Sequence, residues 1–251
     1  MSKVRQLHIP PPVEPPDVEL APRIPGPLEL ERLRELALRA NTSKYRPAAA
    51  KEEAAARFWA DRGDWYQTAA RADVPKSLWN LALDCLDTPP VVAMRAFFNE
   101  EPAEGEDEYD YGRCLGLLGD VGIGKTVAAA KGIWYDGSDT PWFITFPAMC
   151  RRLLDPTERK ATSARLREAS LLVIDDFAAG AAFQEGSFLE GMVEELFVER
   201  ELARAWTVFT SNLPEPALIT FVGDRVADRL LGPWGRLVEV GGENLRRRAR
   251  P

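Results

Sequence analysis

Histidine is nearly missing. The only one in 251 residues is His8, and it stands among prolines, so acid–base or nucleophilic catalysis built on imidazole is excluded. Cysteine is scarce as well. Cys85, Cys114 and Cys150 are far apart and form no C-x-x-C pair, which argues against a zinc cluster and against a disulfide framework. A reduced, cytoplasmic setting follows. No apolar run approaches the ~18 residues of a membrane span. The start of the chain, Met1-Ser-Lys-Val-Arg, leads into prolines and not into the apolar core of a secretion signal. Positive charge is in deficit, with 32 Lys and Arg against 39 Asp and Glu and a net charge of −7. A general nucleic-acid coat would be basic, so any nucleic-acid contact has to come from a local basic surface.

What is present is enough apolar sequence for a real core, 45% of residues, in a length that suits one domain with an appendage or two small domains. Residues 1–27 carry eight prolines. They predict a disordered or polyproline-II tail, either a solvated leader or a partner-docking peptide. Residues 28–98 read as a small all-helical module. It contains a leucine-spaced helix from Leu28, an Ala-rich helix from about Pro47 to Ala72, a third helix after Pro75 and a fourth over about Val91 to Phe98. Its aromatics, Phe58, Trp59, Trp65 and Tyr66, are core residues or a partner-binding face. Residues 99–110 form an acidic loop. From 111 to 251 short apolar runs alternate with helical patterns. Strands are expected at Cys114–Leu118, Trp142–Phe146, Leu171–Ile174, Trp206–Thr210 and Leu237–Val240. Near-continuous apolar strands separated by helices predict an α/β fold with a parallel sheet covered on both faces.

Three segments carry chemistry. Gly119-Asp120-Val121-Gly122-Ile123-Gly124-Lys125-Thr126 fits the phosphate-binding pattern G-x-x-x-x-G-K-[ST] and leads into a helix at Val127. Glycines let the backbone curl so that successive amides point at phosphate oxygens, and the helix aims its positive end at the same place. Lys125 can reach the β- and γ-phosphates, and the Thr126 hydroxyl can coordinate Mg²⁺. Together these residues and Val127 form an ATP-binding set. Leu171-Leu172-Val173-Ile174-Asp175-Asp176 describes a buried strand ending in two carboxylates. Asp175 is placed to hold Mg²⁺ and Asp176 to orient or deprotonate an attacking water; strand-end capping is the alternative. Thr207–Asn212 delivers a polar pair at a strand's C-terminal end, where open α/β sheets keep their sites. There Asn212 could bond the water or the γ-phosphate, or simply begin a turn.

In order along the chain, LLGDVGIGKT, LLVIDDF, VFTSNLP, DRVADRLLG and GGENLRR resemble the AAA+ helicase loaders of the DnaC type. They are similar too to the helper ATPases of transposition, the IstB type. The resemblance covers roughly 75–251. It implies a P-loop AAA+ core without a C-terminal helical lid, ATP hydrolysis with Mg²⁺, and self-assembly. It implies that Arg229 is the arginine finger acting on a neighbouring subunit's γ-phosphate, with Arg225 as the alternative, and that Arg246 is the sensor-2 arginine. By position it also implies single-stranded DNA contact through Arg151, Arg152, Arg159, Lys160, Arg165 and Arg167, which otherwise form a solvated helix face. The cysteine-rich zinc module of some relatives has no counterpart here. Three functions therefore compete. The first is a loader of a hexameric replicative helicase, held through the N-terminal module. The second is a transposition helper ATPase. The third is a nucleotide-gated adaptor that hydrolyses little, because Asp176 is one methylene shorter than the commoner glutamate.

Overall fold

A computed structural model describes residues 63–84, 87–99, 113–179 and 187–245. The chain divides into two compact units, residues 1–67 and 68–251, and the second carries the sheet and all three motifs. The proline-rich tail, the helix expected from Leu28, most of the helix expected over 47–72, Cys85, the acidic loop and Arg246 lie outside the described residues.

Five parallel strands form one sheet in the order β2-β3-β4-β1-β5. They are β1 (Cys114–Leu118), β2 (Trp142–Thr145), β3 (Leu171–Asp175), β4 (Trp206–Ser211) and β5 (Gly235–Glu239). Every residue of β1 and β3 is buried, as the unbroken apolar runs require of strands covered on both faces. β5 begins two residues before the expected Leu237. As an edge strand it pairs only with β1 and is half-exposed, so it leaves little apolar signal.

Helices cover both faces. α1 (Lys76–Asp84) and α2 (Pro89–Asn99) pack on α3 (Lys125–Asp136), which lies on β3 and β4. α2 turns Val91, Met94 and Phe97 inward, and α3 has room for it at Gly132, where a β-carbon would come 2.8 Å from Met94 Sδ. Phe97 and Phe98 close on Trp206, with ring centroids 5.2 and 5.3 Å away. These two helices therefore belong to the unit that holds the sheet, whereas the sequence alone assigns them to a module spanning 28–98. Their apolar faces announce burial without saying against what.

The remaining helices are α4 (Phe146–Leu154), α5 (Arg159–Glu168), α6 (Phe188–Leu202), α7 (Glu215–Val222) and α8 (Asp224–Leu231). With alternate strand residues such as Leu172, Ile174 and Phe209 they enclose a core rich in aromatics. Phe177 is its hub, with ring centroids of Phe146, Phe209 and Phe197 at 4.7, 5.2 and 5.7 Å. Because Phe177 directly follows Asp175 and Asp176, the core anchors the turn that carries both carboxylates. Within α6, Val193, Leu196 and Phe197 are buried, but Phe188 is exposed; the Arg159 guanidinium stacks on its ring at 4.7 Å. Among the described residues no helix is long and apolar enough to cross a membrane.

Candidate active site

β1, β4 and β3 are neighbours, so their C-terminal ends bring the three motifs together at one end of the sheet. The loop after β1 leaves the sheet through backbone bonds on both sides. The Gly119 amide donates to Ser211 O at 3.2 Å, and the Val240 amide donates to Leu118 O at 2.8 Å. Gly122 and Gly124 take φ of 90° and 97°, a region that side chains disfavour. Gly124 caps α3, and having no side chain it cannot occupy the first-turn amides, which a helix N-terminus leaves without intrahelical partners.

Lys125 is nearly fully buried. Its Nζ donates to Gly119 O at 2.7 Å, Asp120 O at 2.8 Å and Asn212 Oδ1 at 2.9 Å. The ammonium thus sits in a cup made by the loop and the end of β4. Thr126, the next residue, lies close enough to the Asp175 carboxylate for its side chain to favour the charged form. Burial pushes the Asp175 carboxyl above its ordinary range; the Thr210 hydroxyl opposes this and the neighbouring Asp176 charge adds to it. Thr210 Oγ1 donates to Asp175 Oδ1 at 2.7 Å and accepts from the Asp176 amide at 3.0 Å. Asp176 has a φ of 54°. Ser211 Oγ donates to Phe177 O at 2.9 Å, tying the ends of β3 and β4 together once more.

Among the described residues no group of three or more His, Cys, Asp or Glu could hold a metal ion. The hydroxyl of Thr126 and the carboxylate of Asp175, near one another, offer two hard oxygen donors. This suits Mg²⁺, which takes one or two protein ligands and fills its octahedron with water and phosphate oxygens. Lys125 and the amides of the same loop are groups that could meet a nucleotide's phosphates.

One participant is not evident from the motifs. The Asn244 side-chain amide donates to Val121 O at 3.1 Å, and the Leu245 amide donates to Gly122 O at 2.9 Å. A β-carbon on Gly122 would overlap Asn244. Residues 240–245 thus lie along the phosphate loop and hold it from outside. The GGEN tetrapeptide suits close backbone approach, but the partner of Asn244 is 123 residues away and leaves no mark on the sequence.

The two candidate finger arginines stand on α8 and pair with α6. Arg229 Nε lies 2.7 Å from Glu201 Oε2, and its Nη1 donates to Arg225 O at 2.6 Å. Arg225 Nη1 is 2.6 Å from Glu194 Oε1, and its side chain is 81% exposed against 26% for Arg229. The basic stretch is not gathered into one free surface. Arg152 approaches Glu158, Arg165 pairs with Asp73, and Arg167 pairs with Glu199 and Glu195. Arg159 donates to Leu153 O and Leu154 O at the end of α4. Arg151 and Lys160 are exposed and have no ion-pair partner among the described residues.

No protein-family model matches the chain, and no curated protein does. Solved structures do. A candidate primosome component from Streptococcus pyogenes serotype M3 is 21% identical with a TM-score of 0.52, over 70% of this chain and 97% of that one. The DnaC helicase loader is 17% identical with a TM-score of 0.51, over 66% of this chain and all of that one. AMPPCP-bound DnaA from Aquifex aeolicus is 18% identical with a TM-score of 0.47, over 62% of this chain, which spans only 46% of that protein. At such identities the likeness is one of fold. The chain has the AAA+ P-loop fold of the DnaC-type structures, a parallel sheet flanked by helices.

Proposed function

We propose that this protein is an AAA+ ATPase that loads a hexameric replicative helicase onto single-stranded DNA. The observation that carries the ATPase reading lies at one end of the sheet, where Lys125 bonds Asn212 and Thr126 stands beside Asp175. Separate strands deliver these partners, an arrangement that a triphosphate and its ion could use. The loader reading adds the fold shared with the DnaC helicase loader and the order of the five segments it resembles.

In this reading Lys125 and the amides of 119–127 bind the phosphates, and Thr126 and Asp175 hold Mg²⁺. When bound, the ion supplies positive charge against the developing charge on the phosphate oxygens. Asp176 takes or orients the proton of the attacking water, and Asn212 directs it. Arg229 supplies a further charge to a neighbouring subunit's site, where charge stabilisation is worth most in a dry setting. Arg246 acts on its own subunit's nucleotide. The N-terminal segment holds the helicase, and the exposed part of the basic stretch tracks single-stranded DNA.

The test is capture of the host's hexameric helicase by the full chain and by a chain lacking residues 1–62. The cut stops there because residues 68–99 are part of the sheet's own unit. Capture by the full chain alone supports the loader. Equal capture by both, or none, counts against it. ATP-dependent filaments on duplex DNA would favour the transposition helper instead. Turnover that stays at background with DNA and helicase present would favour the adaptor.

A further inference from the structure

Thr210 is fully buried in β4, one residue past Phe209, which pairs with Ile174 of β3. It therefore stands across from Asp175. A threonine hydroxyl has one proton to give and lone pairs to receive with. Here the proton goes to Asp175 Oδ1 at 2.7 Å, and a lone pair accepts the Asp176 amide at 3.0 Å. The Thr210 carbonyl accepts the next amide, Phe177, at 2.7 Å. One residue thus holds three in succession: the side chain of 175 and the amides of 176 and 177. The turn it grips is strained. Asp176 and Ala178 have φ of 54° and 70°, conformations that non-glycine residues adopt only when their surroundings impose them.

We infer that Thr210 is a positioning residue for the ion site. Its hydroxyl sets the rotamer of Asp175 that meets Thr126, and it pins the turn that presents Asp176. This role is separate from that of Asn212, two residues on, whose side chain is bonded to Lys125. It rests on the reading of Thr126 and Asp175 as ligands of a nucleotide-bound Mg²⁺. Valine in its place keeps the shape but leaves a buried carboxylate oxygen and a buried amide unpaired. Serine keeps both bonds.

The full-length protein and its Thr210→Val and Thr210→Ser variants decide the matter. Three quantities are measured: affinity for a fluorescent ATP analogue without divalent ion, Mn²⁺ binding to the nucleotide-saturated protein by EPR, and turnover against Mg²⁺ concentration. Orienting groups behind a metal ligand are worth about 10–100-fold in metal affinity or activity. Thr210→Val is expected to keep the ion-free nucleotide affinity, weaken Mn²⁺ binding about tenfold and lower kcat by about 10–100-fold. Thr210→Ser should recover most of both. Wild-type Mn²⁺ affinity and kcat in Thr210→Val would overturn the inference, as would a serine variant as impaired as the valine one. Should the valine variant not fold, Thr210→Cys, a weak donor, stands in the same comparison and is expected to fall below serine on both readouts. A wild-type protein that binds the analogue but takes up no Mn²⁺ and shows no turnover would overturn the ion-site reading itself, and the inference with it.

Discussion

Lys125 Nζ and Asn212 Oδ1 are 2.9 Å apart although 87 positions separate them in the chain. Together with the Gly119 amide bond to Ser211 O, this contact joins the phosphate loop to the end of β4. Lys125→Ala should abolish nucleotide binding and turnover together. Asn212→Ala should keep binding but lower turnover by about 10²-fold, the scale of one lost stabilising donor in a preorganised site. Because the two groups touch, the double variant should be little worse than Lys125→Ala alone. Analogue fluorescence and single-turnover hydrolysis measure both effects.

Asp175 gives a stability prediction with a definite sign. Burial holds its carboxyl above the unfolded value, so the folded state keeps a proton over a pH window in which the unfolded chain has lost it. Stability therefore falls as pH rises through that window, and the cost is present in full above it. Asp175→Asn removes the cost while leaving the Thr210 hydroxyl an oxygen to donate to. At neutral pH the ligand-free variant should melt about 2–4 °C higher yet show no Mg²⁺-dependent turnover. Calorimetry at two pH values checks it, and the gap should shrink at the more acidic one.

Arg200 is buried to 1% exposure. Its guanidinium donates to Thr207 Oγ1 and to the carbonyls of Leu166, Arg167, Ala169 and Trp206. Burial pulls it down to about 10, so it is still charged at neutral pH. It stitches the end of α5 to α6 and β4. Arg200→Met leaves several buried carbonyls without donors and should cost about 3 kcal/mol or more in urea unfolding. Arg200→Lys, with fewer donors and no planar fork, should recover only part of this.

The finger assignment separates on assembly. Arg229 is restrained by Glu201 and Arg225 is open to solvent. If Arg229 serves a neighbour's site, Arg229→Ala should remove the rise of specific activity with protein concentration, by about 10²-fold or more at saturation. Its nucleotide binding should stay intact, and Arg225→Ala should retain most activity. Glu201→Gln, which frees Arg229, should leave the rise in place.

DNA contact by the basic stretch should fall on its unpaired members. Arg151→Glu and Lys160→Glu should weaken single-stranded DNA binding, each lowering the slope of log affinity against log salt by about 0.7 or more. Arg167→Ala, which breaks contacts to Glu195 and Glu199, should hardly change that slope.

How much was legible in advance depended on distance along the chain. The phosphate loop, the Asp175 strand and the Asn212 strand could be read because strands buried on both faces write themselves as unbroken apolar runs, and each ends in its own polar residues. β5 was blurred because an edge strand has one neighbour. The Thr210 clamp and the Asn244 contact were invisible because each joins distant segments through a single side chain. The fate of the arginines was hidden for the same reason. Asp73, Glu195 and Glu199 lie far from Arg165 and Arg167 in the chain, and nothing local marks them as partners.

β1 takes both its neighbours from later sequence: β4 ends at Ser211 and β5 at Glu239. On the ribosome, the strand that leads into the phosphate loop therefore waits with both edges bare. At ~5–20 residues per second the wait is on the order of ten seconds. Until β4 and β5 have been made the loop has no complete frame on which to curl, so nucleotide cannot assist early folding. A chain broken off before β4 would be released with a naked, wholly apolar strand, a natural client for chaperones and proteases.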